Sequence, residues 1–348
     1  MQRLLAFFFA AALLWTPAWS QSAPDALVPD LSQYILTPPA PPTPRINGAK
    51  VFGARPGSEF LFAIPASGDR PMTFAAEGLP KGLSLDPSTG FITGRVKKPG
   101  TYLVKLTARN ALGEATRELR IVIGERIALT PPMGWNSWNC WARDVTQEQV
   151  LSSARAMVES GLADHGWSYI NIDDGWQGKR GGKDNAIQPN AKFPDMKGLT
   201  RAIHDMGLRV GIYSTPWIGT YAAHIGSYSD NPDGVNEWIK KGRHNEHYRY
   251  QKEGGNYWKD RTEVWHLGPY SFVEADVKQW GEWGIDYLKY DWNPLDYYHV
   301  KEMHDALRTL DRDVVYSLSN SAPYGDAPQW MQYSNCWRTT GDIRDTWE

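Results

Sequence analysis

Residues 272–291 read FVEADVKQWGEWGIDYLKYD, a helical stretch from Phe272 to Trp283 followed by a strand from Ile285 to Asp291 that ends in Lys289 and Asp291. The same alternation runs outward in both directions. Upstream, Pro132 to Trp138 reads as a first strand, Tyr169 to Asp174 as a second and Leu208 to Tyr213 as a third. Thr146 with Gln149 forms a capping box opening the first helix, whose apolar face is Val150, Leu151, Ala154, Met157, Val158 and Leu162. Leu199 to Met206 is the second helix. Downstream come a helix at 300–310, a strand at 314–318, a helix at 326–333 and a strand at 336–340. Strands separated by helices imply parallel pairing, in a doubly wound sheet or a (β/α)8 barrel.

Polar residues decide between the two. Almost every strand ends in a carboxylate, a hydroxyl or an aromatic: Trp138, Asp173 with Asp174, Tyr213, Lys289 with Asp291, Ser317 with Ser319, and Arg338 with Asp342. Barrel enzymes collect their chemistry at the C-terminal ends of the strands. No Gly-x-Gly-x-x-Gly and no P-loop is present to favour a nucleotide-binding sheet. The reading is therefore α/β, a (β/α)8 TIM barrel over 126–348 with about six strand–helix units, so its C-terminal part is truncated.

Ahead of it, residues 45–125 change period. Glu59 to Ile64, Phe91 to Val96, Thr101 to Ala108 and Glu118 to Ile123 alternate polar and apolar, with turns at Asp86–Gly90, Lys98–Gly100 and Asn110–Gly113. That predicts a small all-β sandwich. Residues 21–44 are a Pro-rich linker, with Pro38, Pro39, Pro41, Pro42 and Pro44 close together. Residues 1–20 read as a signal peptide: Arg3, the apolar run from Leu4 to Trp15, then Ala18-Trp19-Ser20. The run is too short to span a bilayer. The expectation is a secreted or periplasmic protein without membrane insertion.

The chain has 348 residues with 37 Lys+Arg against 39 Asp+Glu, a net charge of -2. That balance gives no footprint for nucleic acid. Its 17 Trp and 17 Tyr fit either stacking on sugar rings or a large core. Cys140 and Cys336 are too few for a disulfide scaffold, and neither has a nucleophile's context. His299, His304 and Glu302 lack zinc-ligand spacing. His244 and His247 lie in a polar insertion.

Cleaving a glycosidic bond needs two carboxyl groups, one to capture the anomeric centre and one to protonate the leaving oxygen. Asp291 suits the first role, because the Lys289 ammonium favours a charged neighbour. Asp342 or Asp345 suits the second. Asp173 and Asp174, beside Trp176, read as a clamp on sugar hydroxyls, a divalent-metal site or a helix-starting turn.

The segments Thr130–Trp138, Asn171–Trp176, Gly211–Tyr213, Tyr287–Asp291 and Trp337–Asp342 resemble, in order, the signatures of glycoside hydrolase family 27, the α-galactosidase or melibiase family of retaining (β/α)8 barrels. The string from Gly78 to Gly94 resembles immunoglobulin-like modules appended to bacterial secreted enzymes. By position, the resemblance implies Asp291 as nucleophile and Asp342 as acid/base. It implies Trp138, Asp173, Asp174, Tyr213, Lys289, Ser319 and Arg338 as substrate-binding residues, a carbohydrate partner with a terminal galactose, and no metal or cofactor. Gly175 and Asn293 stand near places where eukaryotic members carry Cys, so those disulfides are absent. The loop Ser317–Tyr324 lacks the Glu many α-galactosidases place beside the sugar 2-position. α-N-acetylgalactosaminidase and β-L-arabinopyranosidase activities are therefore alternatives, as is a non-catalytic sugar-binding barrel. The insertion at 217–269, with Trp238, Tyr248, Tyr250, Tyr257, Trp258 and Trp265, reads either as a substrate-side loop that adds aromatic surface or as a structural extension. An open barrel leaves strand edges unpaired, so the chain alone is expected to be unstable or inactive.

Overall fold

The structure, a computed structural model, describes residues 40–235, 265–319 and 322–342. The leader at 1–20, most of the linker, His244, His247, Asp345 and the insertion aromatics from Trp238 to Trp258 lie outside the described residues.

The first domain is built of β1 (Arg45–Ile46), β2 (Val51–Ala54), β3 (Glu59–Ala63), β4 (Ala66–Ser67), β5 (Thr73–Glu77), β6 (Leu83–Leu85), β7 (Phe91–Arg95), β8 (Gly100–Asn110) and β9 (Gly113–Ile123). One sheet runs β2-β9-β8-β5, a second β3-β7-β6, and β1 pairs β4. The predicted alternation is what fills the space between them: Phe60, Phe62, Phe74, Ile92, Val104, Leu106, Leu119 and Ile121 share one buried cluster.

The second domain begins with β10 (Gly134–Asn136), α1 (Trp138–Trp141), α2 (Gln147–Glu159) and β11 (Tyr169–Asn171). A hairpin of β12 (Gln177–Gly181) and β13 (Ala186–Pro189) precedes α3 (Met196–His204) and β14 (Arg209–Ser214). After β15 (Tyr228–Ser229) and β16 (Tyr270–Ser271) come α4 (Val273–Trp283), β17 (Tyr287–Tyr290), α5 (Tyr297–Arg308), β18 (Val315–Leu318), α6 (Ala327–Tyr333) and β19 (Cys336–Trp337). Six parallel strands make one sheet in chain order, β10-β11-β14-β17-β18-β19. Sequential parallel order with helical crossovers fits part of a barrel.

The expected cap at Thr146 forms in full: its hydroxyl accepts from Gln149 N, and Gln149 Oε1 accepts from Thr146 N. The strands are shorter than the periodicity predicts. The second ends at Asn171 and the fourth at Tyr290, so Asp173, Asp174 and Asp291 stand just past the ends. The hairpin at 177–189 and the bridge of β15 to β16 are additions that the alternation does not announce. Among the described residues no helix is long and apolar enough to cross a membrane.

Candidate active site at the strand ends

Residues in register on parallel neighbours point the same way, and direction alternates along each strand. Tyr213 is in register with Lys289, and Lys289 with Ser317. Two residues on, Asp291 N donates to Ser214 O at 2.9 Å and Ser319 N to Tyr290 O at 3.2 Å. Pairing thus continues past the regular strands and delivers Tyr213, Lys289, Asp291 and Ser319 to one side. Asn171 fills that interior lower down. A Cβ on Gly211 would lie 1.9 Å from Asn171 Oδ1, so only glycine fits opposite it.

Asp173 is buried and accepts three hydrogen bonds. Its Oδ2 accepts from Lys289 Nζ at 2.9 Å and from Asn136 Nδ2 at 2.8 Å, while Oδ1 accepts from Asp174 N at 2.8 Å. Its own N–H donates to Ser137 Oγ. Burial works against the Lys289 charge, but Asp173 and Asp291 outweigh it and hold the ammonium well above its ordinary range.

Asp174, also buried, turns toward the loop after β14. Thr220 Oγ1 donates to its Oδ1 at 2.8 Å and Ala222 N to its Oδ2 at 2.7 Å. His224 Nδ1 lies 3.3 Å from Oδ1. The sequence pointed to neither Thr220 nor His224; a threonine and a histidine closing one loop turn carry no spacing signal. Trp176 is buried behind the pair and donates to Tyr213 O at 2.9 Å, tying this turn to the end of β14.

Asp291 is 4% exposed. Its Oδ2 accepts from the Tyr213 hydroxyl at 3.0 Å and its Oδ1 from the Ser319 hydroxyl. Burial raises its pKa; Lys289, Ser319 and Tyr213 pull it down, Asp173 pushes it up, and the net shift is upward. Lys289 lowers the pKa of Asp291, in the direction the sequence leads one to expect, while burial makes the net shift upward. Ser319, expected as a sugar contact, spends its hydroxyl on Asp291.

Arg338 and Asp342 are brought to each other, with Arg338 Nη1 2.7 Å from Asp342 Oδ1, and Asp342 is 74% exposed on its side chain. Trp138 opens α1, partly exposed, its N–H on Asn136 Oδ1. Both cysteines are free thiols. Among the described residues no group of His, Cys, Asp or Glu has the makings of a metal site.

Residues 130–241 match the family model described as "Alpha galactosidase A", and residues 43–124 the one described as "Putative Ig domain". A "Probable alpha-galactosidase" of Dictyostelium discoideum is 31% identical over 232 residues, 64% of this chain and 48% of the relative. "Alpha-galactosidase A" of Cellvibrio japonicus is 34% identical over 234 residues, covering 64% and 46%. The chain spans about half the length of these curated relatives. A crystal structure titled as a "putative alpha-galactosidase" from Bacteroides fragilis superposes with a TM-score of 0.73 at 36% identity, over 88% of this chain and 58% of that one.

Proposed function

We propose that this chain, whose barrel segment is of the α-galactosidase (melibiase) family and whose first domain is immunoglobulin-like, belongs to an exported retaining exo-glycosidase that removes terminal α-D-galactosyl residues from oligo- or polysaccharides. The six strands then form part of a (β/α)8 barrel, and residues 1–20 act as the export signal. The observation that carries the reading is Asp291: a buried carboxylate at a strand end, gripped by two hydroxyls, beside the part-buried ion pair of Lys289 with buried Asp173.

In this mechanism Asp291 attacks the anomeric carbon as the glycosidic C–O bond breaks, and Asp342 gives its proton to the departing oxygen. A covalent galactosyl ester on Asp291 results. Asp342, now a carboxylate, takes a proton from water, whose oxygen displaces Asp291 and restores both groups. Tyr213 and Ser319 fix the carboxylate plane before attack, which removes orientational freedom from the barrier. Lys289, Asp173 and Asp174 offer donors and acceptors to the sugar hydroxyls, Trp138 a stacking face, and Arg338 a charged contact that also orients Asp342.

Serines at 317 and 319 leave the 2-position lined by small side chains, which keeps an acetamido sugar or an arabinopyranoside as the second reading. A panel of p-nitrophenyl α-galactoside, α-N-acetylgalactosaminide and β-L-arabinopyranoside, tested on the intact protein and on Asp291→Ala, separates these. The expected result is fastest release from the α-galactoside, lost in Asp291→Ala. Fastest release from another member of the panel moves the substrate. Galactose binding without release replaces catalysis with a sugar-binding role.

A further inference from the structure

We infer that the immunoglobulin-like module is the floor of the barrel, a fold-completing partner for the N-terminal ends of its strands rather than a spacer or a separate sugar-binding unit. The inference is independent of which glycoside is cleaved.

A helix leaves its last carbonyls without partners, and cations near its C-terminus satisfy them favourably. For α5 the cation comes from the module. Arg55, just after β2, donates to Arg308 O at 3.1 Å, to Leu310 O at 2.9 Å and to Arg312 O. The same guanidinium meets Asp313 at 2.6 Å, and Asp313 also accepts from Arg55 N at 2.9 Å and Ser58 Oγ at 3.0 Å. Arg55 and Asp313 are both largely buried by this contact.

A second chain of charge runs from inside the barrel into the module. Asp286, at the foot of β17, accepts from His204 Nε2 at 2.7 Å, Val210 N at 2.9 Å and Arg312 Nη2 at 2.7 Å. Arg312 then reaches Glu59 on β3 with its other amino group at 3.0 Å. Arg209, at the start of β14, stacks over Phe52 at 4.6 Å and donates to Leu61 O. At the rim, Asn47 donates to Asp164 O and Arg70 pairs with Asp164 at 2.6 Å. Between them Gly48 and Gly166 meet back to back: a Cβ on Gly166 would lie 2.8 Å from Gly48 Cα.

The anchors bridge a cleft of about 1040 Å³ between the two surfaces, and Gly48, Glu59, Arg209, Asp286 and Asp313 themselves line it. The module's aromatics support the same reading. Phe60, Phe62 and Phe74 are in its core, Phe52 faces Arg209, and Tyr102 bonds Lys98 O. Its exposed large apolar side chains are Leu103 and Leu112, which offer no ring for stacking on sugar.

The test uses the intact protein, with hydrogen exchange followed peptide by peptide and tryptophan emission as a second probe. None of the 17 Trp lies within 45–125, so emission never reports the module directly. Ile121→Ala, at a fully buried module position paired across β9 and β2 with Phe52, is expected to lower the tryptophan midpoint by about 5 °C or more. It should also speed exchange in β14 and β17 together with β8 and β9. Ile121→Val gives a smaller shift of the same kind if the alanine variant does not fold, and the unsubstituted protein should lose module and barrel protection at one denaturant concentration. Arg55→Ala should expose the 297–313 peptide selectively. Faster module exchange with an unmoved barrel midpoint, or an unchanged 297–313 peptide in Arg55→Ala, would overturn the inference.

Discussion

Lys289 Nζ lies 2.9 Å from Asp173 Oδ2, and the same ammonium depresses the pKa of Asp291 against the effect of burial. Replacing it leaves two buried carboxylates facing each other without their cation. Lys289→Met should therefore lower kcat/KM by about 100-fold or more and move the acid limb of its pH profile upward, because Asp291 becomes harder to ionise. A loss of rate with an unshifted acid limb would show that Lys289 acts only on substrate.

Tyr213 and Ser319 each hold one oxygen of Asp291. A hydrogen bond to a charged acceptor contributes about 1.5–3 kcal/mol, so Tyr213→Phe should cost roughly 10–100-fold in kcat. Ser319→Ala should act in the same direction. Both variants should shift the acid limb upward, since each removed donor favours the charged form. Pre-steady-state kinetics with an activated aryl galactoside would locate the loss in the glycosylation step.

The raised pKa of Asp291 carries a stability consequence with a definite sign. Burial disfavours its charge, so the folded state binds a proton more tightly than the unfolded chain does. The stabilising, protonated condition holds at low pH and is lost as pH rises through the folded pKa. Asp291→Asn should thus be inactive yet melt at higher temperature than wild type near pH 7. The difference should shrink as pH falls below the ordinary Asp range. A melting difference independent of pH would show that charge burial at Asp291 is not the cause.

Asp174 has both carboxylate oxygens engaged by the 220–224 turn. Thr220→Val removes one donor and leaves a buried acceptor unsatisfied, a penalty of about 1–3 kcal/mol. The expected result is a rise in KM for the α-galactoside with a smaller change in kcat, and faster hydrogen exchange at Ala222 and His224. Unchanged exchange there would mean that the turn holds itself.

Period and capping made the alternation of strands and helices legible, and Thr146 with Gln149 shows why: a cap is a local exchange of two hydrogen bonds written in one short segment. Tyr213 and Lys289 near the ends of their strands, and Asp173 and Asp291 just past theirs, were legible because parallel strands end on one face. What stayed hidden depends on contacts distant in sequence. Ser319 looks like a sugar contact until the register of β18 against β17 places it on Asp291. The turn at Thr220 reaches Asp174 across 46 positions, and Arg55 reaches Asp313 across 258. No periodicity encodes such pairings, which follow from where whole elements dock. The balance between burial and Lys289 at Asp291 was likewise unreadable, since the adjacent charge is visible in sequence and the depth of burial is not.

The most direct test of the central claim is to trap the glycosyl-enzyme in the intact protein with an activated 2-deoxy-2-fluoro α-galactoside and map the adduct by peptide mass spectrometry. The proposed mechanism predicts one added fluorogalactosyl group, on the peptide at Asp291. A label on another carboxylate, or turnover that inverts the anomeric centre without a covalent adduct, would contradict it.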